Sequence, residues 1–188
     1  SEVLSDPGIV NEPERLRTYA GIIRSENERL RAQVERVLQL ATLDREDLAL
    51  KREQVDLHEL VADVVDAFAI QLQERQGTLR TDLRADPHVV TGDPVHLSNV
   101  LFNLVDNAIK YSSDSVDVLI ATANTDGRVE LRVKDHGIGI KREDQRLVFE
   151  RFYRVDDLLA RQQEGSGLGL AIVAHVVRAH KGKVTVDS

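Results

Sequence analysis

The sequence predicts an α+β protein in which helices pack on one face of a mixed β-sheet, forming an α/β sandwich. Two kinds of periodicity support this fold class. Apolar residues recur at steps of three and four in three segments, which predicts helices at residues 56–76, 94–111 and 168–180. Apolar and polar residues alternate in other segments, which predicts strands at residues 78–85, 88–90, 116–123, 128–134 and 183–187.

The ends of these elements carry residues that begin or terminate them. Asp56 and Glu59 have the spacing of a capping box at a helix start, and Gly77 follows as a helix terminator. Residues 125–127 (Thr-Asp-Gly) separate two predicted strands and are typical of a hairpin turn. The helices and strands therefore form one ordered domain, which we place at residues 56–188.

The first 44 residues have a different pattern. Asn11, Pro13 and Glu14 indicate a helix start, and one apolar stripe then continues to about Asp44. Because an amphipathic helix of this length must bury its stripe, we expect it to be the second helix of a dimerising antiparallel hairpin. An ordinary bundle helix within one globular domain is the alternative. The predicted division is a partial helical hairpin at 1–44, a charged linker at 45–55 and a domain at 56–188.

Composition limits the function. The chain has 188 residues, 41% of them hydrophobic and 30% charged, which is ordinary for a globular protein. It contains no cysteine, which excludes disulfides, thiolate metal sites and cysteine nucleophiles. The formal net charge of -7 argues against nucleic acid as a partner, because nucleic-acid-binding domains present a basic face. No apolar run is long enough to span a bilayer, so we expect membrane attachment only through parts outside this chain.

Four clusters of residues suggest chemistry, and the first spans residues 103–111 (Asn-Leu-Val-Asp-Asn-Ala-Ile-Lys-Tyr). Asn103 and Asn107 are four residues apart, so both amides project from one helical face, with Lys110 one turn further on. Amide oxygens suit Mg²⁺, and a lysine supplies charge to phosphates. The alternative is a solvated face of an amphipathic helix.

The second cluster is residues 135–140 (Asp-His-Gly-Ile-Gly-Ile), directly after a predicted strand. Gly137 and Gly139 allow backbone to approach a ligand closely, and the Asp135 carboxylate can accept a hydrogen bond from an exocyclic amine such as that of adenine. Taken alone, this short motif is better explained by a turn.

The third and fourth clusters lie towards the C-terminus. Residues 165–170 (Gly-Ser-Gly-Leu-Gly-Leu) open a predicted helix, which suits either phosphate binding or a simple capping turn. They lack the Gly-Lys-Ser/Thr ending of a P-loop. Residues 148–154 (Val-Phe-Glu-Arg-Phe-Tyr-Arg) hold much of the aromatic content of a chain with 4 Phe and 3 Tyr. They are either core residues or anchors for the polar loop that follows.

In this order and spacing, the four clusters resemble the N, G1, F and G2 boxes of the sensor histidine kinase catalytic domain. That domain has the Bergerat-type ATP-binding fold, which is shared with the gyrase, heat-shock chaperone and mismatch-repair ATPases of the GHKL superfamily. The resemblance covers about residues 55–188, and the helix at 11–44 resembles the second helix of the family's dimerisation and histidine-phosphotransfer hairpin. The resemblance implies ATP and Mg²⁺ as ligands, a homodimer through the hairpin, and the receiver domain of a response regulator as a partner.

The resemblance also implies roles for the first two clusters. Asn107 corresponds to the Mg²⁺ ligand, supported by Asn103, and Lys110 to a residue that neutralises phosphate charge during transfer. Tyr111 would lie against the nucleotide. In the second cluster Asp135 would bind adenine, with help from Gly137 and Gly139, while His136 replaces the asparagine more often found there.

Further roles follow for the other two clusters. The residues implied to hold phosphates are Gly165, Gly167, Leu168 and Gly169. Residues 141–164 would form a lid over the nucleotide, pinned by Phe149 and Phe152, with Arg154 as a lid cation.

The six histidines of the chain do not include the family's phosphoacceptor. That residue is typically followed by an acidic, an apolar and a basic residue and then Thr-Pro. His58-Glu59-Leu60 begins correctly but continues as Val61-Ala62-Asp63, so we expect His58 to be a surface residue at a helix start. The acceptor should lie upstream of Ser1, and this chain alone should not autophosphorylate.

Two other functions remain open at this point. One is an ATPase of the same superfamily that uses nucleotide to drive a conformational cycle. The other is a degenerate kinase that serves as a dimeric scaffold. The long helix and residues 149–154 favour the histidine kinase, which we expect to be cytoplasmic or the cytoplasmic portion of a membrane-bound sensor.

Overall fold

A computed structural model describes residues 17–24, 26–27, 49–112, 115–155 and 166–188. The chain divides into two compact units, Ser1–Ala41 and Thr42–Ser188. In the first unit the described residues are helical, which agrees with the long helix expected there. The remainder of the predicted hairpin lies outside the described residues, so the hairpin and the domain division stay predictions.

The second unit contains three helices and five strands among its described residues. They are β1 (Glu53–Asp56), α1 (Leu57–Glu74), β2 (Thr78–Leu83), β3 (Val89–Gly92), α2 (Pro94–Lys110), β4 (Asp117–Thr125), β5 (Arg128–Lys134) and α3 (Gly169–Ala179), with a 3₁₀ turn at Leu147–Phe149. One sheet has the strand order β2-β4-β5, and a two-stranded sheet pairs β1 with β3. β2 and β4 are parallel, whereas β4 and β5 are antiparallel, so the larger sheet is mixed as predicted.

The core lies between the larger sheet and the helices. Every second residue is buried over the first six residues of β4, and Val118 and Ile120 there are fully covered. Buried residues of α1 and α2 pack in the same cluster, and the ring of Phe68 on α1 lies 4.5 Å from that of Phe102 on α2. The predicted α/β sandwich is confirmed.

The predicted hairpin turn is also confirmed. Thr125 pairs with Arg128, which leaves a two-residue loop of Asp126 and Gly127. Both loop residues have positive φ, 51° and 72°, which is the conformation that a right-twisted hairpin with a two-residue turn requires.

Three local expectations were wrong. Residues 183–187 form no strand with the described part of the chain. β1 begins at Glu53, inside the segment expected as linker, because its residues pair with β3. His58 is not a simple surface residue: its ring stacks on His88 at 4.1 Å, and Nε2 lies 2.9 Å from Oγ1 of the buried Thr122.

No described helix is long and apolar enough to cross a membrane.

Candidate functional site

The two amide side chains of the first cluster face the start of α3. Asn103 donates a hydrogen bond from Nδ2 to the carbonyl of Asn99 at 2.8 Å, which fixes the orientation of the amide. Its Oδ1 faces the start of α3. A Cβ built on Gly169, the first residue of α3, would lie 2.9 Å from Asn103 Oδ1 and 3.7 Å from Asn107 Nδ2. The amide-bearing helix and the glycine-opened helix are therefore adjacent, and a side chain at position 169 would displace Asn103.

The turn before α3 combines a glycine conformation with a side-chain hydrogen bond. Gly167 has φ +68°, and the Ser166 hydroxyl accepts a hydrogen bond from the Leu168 amide at 3.3 Å. The Leu168 side chain is fully buried, so this residue could contact a phosphate only through its backbone. Gly165 lies outside the described residues.

The aromatic cluster is fastened to this turn through its main chain. The Phe152 amide donates to the Gly167 carbonyl at 2.9 Å, and a Cβ on Gly167 would meet the Phe152 carbonyl carbon at 2.9 Å. The Phe152 side chain is 59% exposed, so the expectation that it pins the lid by burial was wrong. The buried residue of the cluster is Val148.

A second contact closes the base of the predicted lid. The Tyr153 hydroxyl donates to Asp144 Oδ1 at 2.5 Å, and this bond, with burial and the nearby carboxylate charges, raises the pKa of Tyr153. Residues 144–153 thus form a closed loop beside the start of α3. Residues 156–164 of the predicted lid lie outside the described residues.

The second cluster packs against the end of α2. Gly137 donates to Asp135 Oδ1 at 2.8 Å, and Ile138 donates to the carbonyl of Tyr111 at 3.1 Å. A Cβ on Gly137 would come within 2.5 Å of that carbonyl oxygen, so only glycine allows this approach. Gly139 has φ +72°, another conformation that favours glycine. The exposed Asp135 carboxylate and α2 are thereby brought together.

Two predicted cations have different surroundings. Lys110 forms an ion pair with Asp106 on the same helix, at 2.6 Å between Nζ and Oδ2. Arg154 is exposed near the end of the described lid residues. The positions of Lys110 and Arg154 both allow the predicted contact with phosphate. Lys110 would have to leave the Asp106 carboxylate to make that contact.

A cavity of about 270 Å³ lies next to the second cluster. It is lined by Ile138, Gly139, Ile140, Lys141, Val155 and Ser188. Known ligand sites are usually larger, about 300–1,000 Å³. It is open to solvent, and its lining is mixed, with the apolar Ile138, Ile140 and Val155 beside the polar Lys141 and Ser188.

The donor set fits magnesium held jointly with a polyphosphate. Within the described ranges there is no group of three or more His, Cys, Asp or Glu side chains arranged to hold a metal ion. Two amides on one helix face are hard oxygen donors, and Mg²⁺ commonly takes only one or two protein ligands and completes its shell with phosphate oxygens and water.

Sequence reasoning missed a buried carboxylate at the start of α2. Asp93 Oδ1 accepts from the amides of Val95 and His96 at 3.0 and 3.1 Å, and Oδ2 accepts from the Lys51 amide at 2.9 Å. Burial acts to raise the pKa of Asp93, but the hydrogen bonds from His96, Lys51 and Val95 and the charge of His96 outweigh it and lower the pKa. An Asp-Pro pair before a predicted helix was a sufficient signal for the cap.

The same residue connects α2 to α3. The Asp93 amide donates to His180 Nε2 at 2.9 Å, while His180 Nδ1 lies 2.8 Å from the Val176 carbonyl at the end of α3. We call Asp93, Lys51 and His180 the Asp93 junction. No sequence pattern signalled a contact between residues 87 positions apart.

Comparison with known proteins identifies the family. Residues 92–188 match the model of the histidine kinase-, DNA gyrase B-, and HSP90-like ATPases. The chain belongs to this family, and its homologues are two-component sensor kinases, so the resemblance seen in the four clusters is confirmed.

Individual relatives extend over nearly the whole chain. The sensor protein RprX of Bacteroides fragilis (strain YCH46) is 37% identical over 190 residues, covering 100% of this chain and 37% of RprX. The sensor-like histidine kinase SenX3 of Mycolicibacterium smegmatis (strain ATCC 700084 / mc(2)155) is 35% identical over 178 residues, covering 95% of this chain and 46% of SenX3. The chain therefore spans less than half the length of these relatives.

Solved structures have the same fold. Full-length ShkA, crystallised in complex with AMPPNP, superposes with a TM-score of 0.80 at 28% identity, covering 92% of this chain and 35% of ShkA. The histidine kinase ThkA, crystallised in complex with the response regulator protein TrrA, has a TM-score of 0.66 at 23% identity, covering 92% of this chain and 47% of ThkA. At that identity the second likeness shows the fold alone.

Proposed function

We propose that residues 56–188 bind Mg-ATP and act as the catalytic part of a sensor histidine kinase. In the reaction the bond between the γ-phosphorus and the bridging oxygen of ATP breaks, a phosphorus–nitrogen bond to a histidine forms, and ADP leaves. The phosphoryl group then passes to an aspartate of a response regulator. The observation that carries this proposal is the approach of Asn103 Oδ1 to Gly169, which brings the amide-bearing helix against the glycine-opened one.

The nucleotide's two ends would meet different elements. Asp135 would accept a hydrogen bond from the adenine amine through the oxygen that Gly137 does not engage, beside the cavity at Ile138 and Ile140. The phosphates would lie towards α2 and the backbone amides at the start of α3, where the helix dipole favours negative charge. Gly165, Gly167, Leu168 and Gly169 would act there through main-chain groups only.

Magnesium would be held by Asn107, with Asn103 beside it, and when bound it offsets negative charge on phosphate oxygens. Lys110 would add a positive charge on the same helix face, and Tyr111 would lie along the nucleotide. Arg154 would approach the phosphates from the lid. Because phosphoryl transfer needs little covalent help from the protein, these residues act by positioning and charge neutralisation.

The proposed phosphoacceptor and partners are those that the resemblance to sensor histidine kinases implies. None of the six histidines has the acceptor context, so we propose that the acceptor histidine comes from outside residues 1–188. The helix in the first unit would form a homodimer; its Ile22 and Ile23 are 54% and 44% exposed, which leaves apolar surface for a partner helix. A response-regulator receiver domain would dock on that hairpin, and the catalytic part would work in the cytoplasm.

Nucleotide titration by calorimetry tests the proposal. We expect the wild-type chain to bind Mg-ATP, Asn107→Ala to lose about 10-fold or more in affinity, and Asp135→Asn to lose affinity for both ATP and adenosine. Asn99→Ala, an exposed asparagine on the same helix, is the matched control and should bind like wild type. An Asn107→Ala variant that binds as tightly as this control would contradict the assignment, and steady ATP hydrolysis would favour the ATPase with a conformational cycle.

A further inference from the structure

The ion pair between Asp106 and Lys110 lies inside the face of α2 proposed to meet phosphates. Its oxygen and nitrogen are 2.6 Å apart, and the side chains are only 26% and 36% exposed. Charge-assisted hydrogen bonds of this length are among the stronger ones, and partial burial reduces their screening by water. Lys110 is therefore paired with a residue to which the resemblance assigns no role.

Helical geometry places this carboxylate among the proposed ligand groups. At about 100° per residue, Asn103, Asp106, Asn107 and Lys110 fall within one arc of about 100° on α2. The ligand proposed for this face carries phosphates, and the Asp106 carboxylate pairs with the Lys110 ammonium that a phosphate would otherwise bind. Because Mg²⁺ proposed at Asn107 would offset direct repulsion of the phosphates, the main effect of Asp106 is this competition for Lys110.

We propose that Asp106 is a positioning residue that competes with phosphate for Lys110 and so weakens the site's hold on phosphorylated nucleotides. The inference rests on the proposed nucleotide site and names a determinant of its affinity. The competition concerns the phosphates alone, because adenosine has no phosphate that could replace Asp106 at Lys110. A moderate affinity would allow the product nucleotide to leave after each transfer.

The test compares Mg-ATP and adenosine binding to the wild type, Asp106→Asn and Asp106→Glu. We expect Asp106→Asn to bind ATP about 3- to 10-fold more tightly while its affinity for adenosine is unchanged. Asp106→Glu keeps the charge and the helical spacing to Lys110, so its ATP affinity should stay within about 2-fold of wild type. Circular dichroism and thermal melting confirm that each variant is folded.

A double-mutant cycle with Lys110→Met shows whether the effect passes through the lysine. In the Lys110→Met background the gain from Asp106→Asn should fall to less than half. Glu130→Gln is the matched control, because Glu130 also pairs at 2.6 Å with a base, Arg132, but on β5. It should leave both affinities unchanged.

The outcomes separate the two proposals. A wild-type chain that binds no Mg-ATP overturns the nucleotide site and the inference together. ATP binding that is unchanged or weaker in Asp106→Asn, a gain shared by adenosine, or a gain undiminished by Lys110→Met overturns the inference alone.

Discussion

Helices α1 and α2 both begin at an aspartate cap, but the two caps have different surroundings. Asp56 accepts from the amides of His58 and Glu59 at 2.8 and 3.2 Å, and its other oxygen lies 3.3 Å from His88 Nε2 at a partly exposed position. Asp93 caps α2 in the same way but is buried at 5% exposure, and its second oxygen binds the Lys51 amide. Both carboxylates reach a second segment of the chain, but only Asp93 is buried, and its main-chain amide also bonds to His180.

The difference bears on the nucleotide site. α2 carries Asn103 and Asn107, and α3 begins with the glycine that Asn103 approaches. The Asp93 junction ties the start of α2 to the end of α3 through His180, so it fixes how the two helices lie against each other. The Asp56 carboxylate instead bonds to the start of α1 and pairs with His88. We therefore expect the two aspartates to differ in both stability and nucleotide binding.

The largest effect should come from Asp93→Ala. Removing the carboxylate leaves two helix amides and the Lys51 amide without their acceptor in a buried position. Loss of a cap costs about 0.5–2 kcal/mol and an unsatisfied buried amide about 1–3 kcal/mol, so the free energy of unfolding should fall by about 2–4 kcal/mol. Urea unfolding measures this loss. Mg-ATP affinity, titrated well below the unfolding transition, should fall only modestly, because the alanine variant keeps the main-chain amide that bonds to His180.

A smaller effect is expected for Asp56→Ala. The amides freed there lie at a partly exposed helix start, where water can replace the carboxylate. The urea midpoint should shift by less than half of the shift seen for Asp93→Ala, and Mg-ATP affinity should stay at the wild-type value. Equal midpoint shifts in the two variants, or an equal loss of affinity, would show that the Asp93 junction contributes nothing beyond an ordinary cap.

The two caps also show which structural features can be predicted from the sequence. Local chemistry sufficed to predict the cap at Asp56, the turn at residues 125–127 and the helices and strands of the sandwich, because those features depend on neighbours within a few positions. The bond from Asp93 to His180 depends on how α2 and α3 pack, and nothing in either local pattern encodes it. Extended residues 183–187 likewise needed a pairing partner, which alternation alone does not supply.

The candidate site follows the same rule. Residue types and spacing predicted the four clusters, and the structure places the described parts of all four in contact. The first cluster contacts the second at Tyr111 and the third at Gly169, and the third contacts the fourth at Phe152. Spacing did not show which glycines are needed for packing and which for ligand binding. Gly137 and Gly169 are required by their close packing against Tyr111 and Asn103, whatever ligand is bound. The four-residue spacing of Asp106 and Lys110 is typical of a helical ion pair, but spacing alone does not indicate that the pair lies among the proposed phosphate ligands.

The smallest expected effect is the way in which each capping aspartate makes the stability of the protein depend on pH. The pKa of Asp56 is lowered chiefly by the hydrogen bond from the Glu59 amide, and that of Asp93 is lowered because its hydrogen bonds outweigh burial. A carboxyl whose folded pKa is depressed adds stability above the unfolded value of about 3.9 and loses it as the pH falls through the folded value. Replacement by asparagine keeps a capping side chain but removes this titration.

We therefore expect the stability difference between wild type and Asp93→Asn to be constant from pH 7 to about pH 5 and to shrink below about pH 4. The stability difference between wild type and Asp56→Asn should also shrink below about pH 4, starting from a smaller value at pH 7. Urea unfolding at several pH values measures both curves, with Asp126→Asn in the exposed hairpin turn as the control for loss of one charge. A stability difference between wild type and Asp93→Asn that stays constant down to pH 3 would mean that the hydrogen bonds to Asp93 do not favour its ionised carboxylate. The two caps would then differ only in burial.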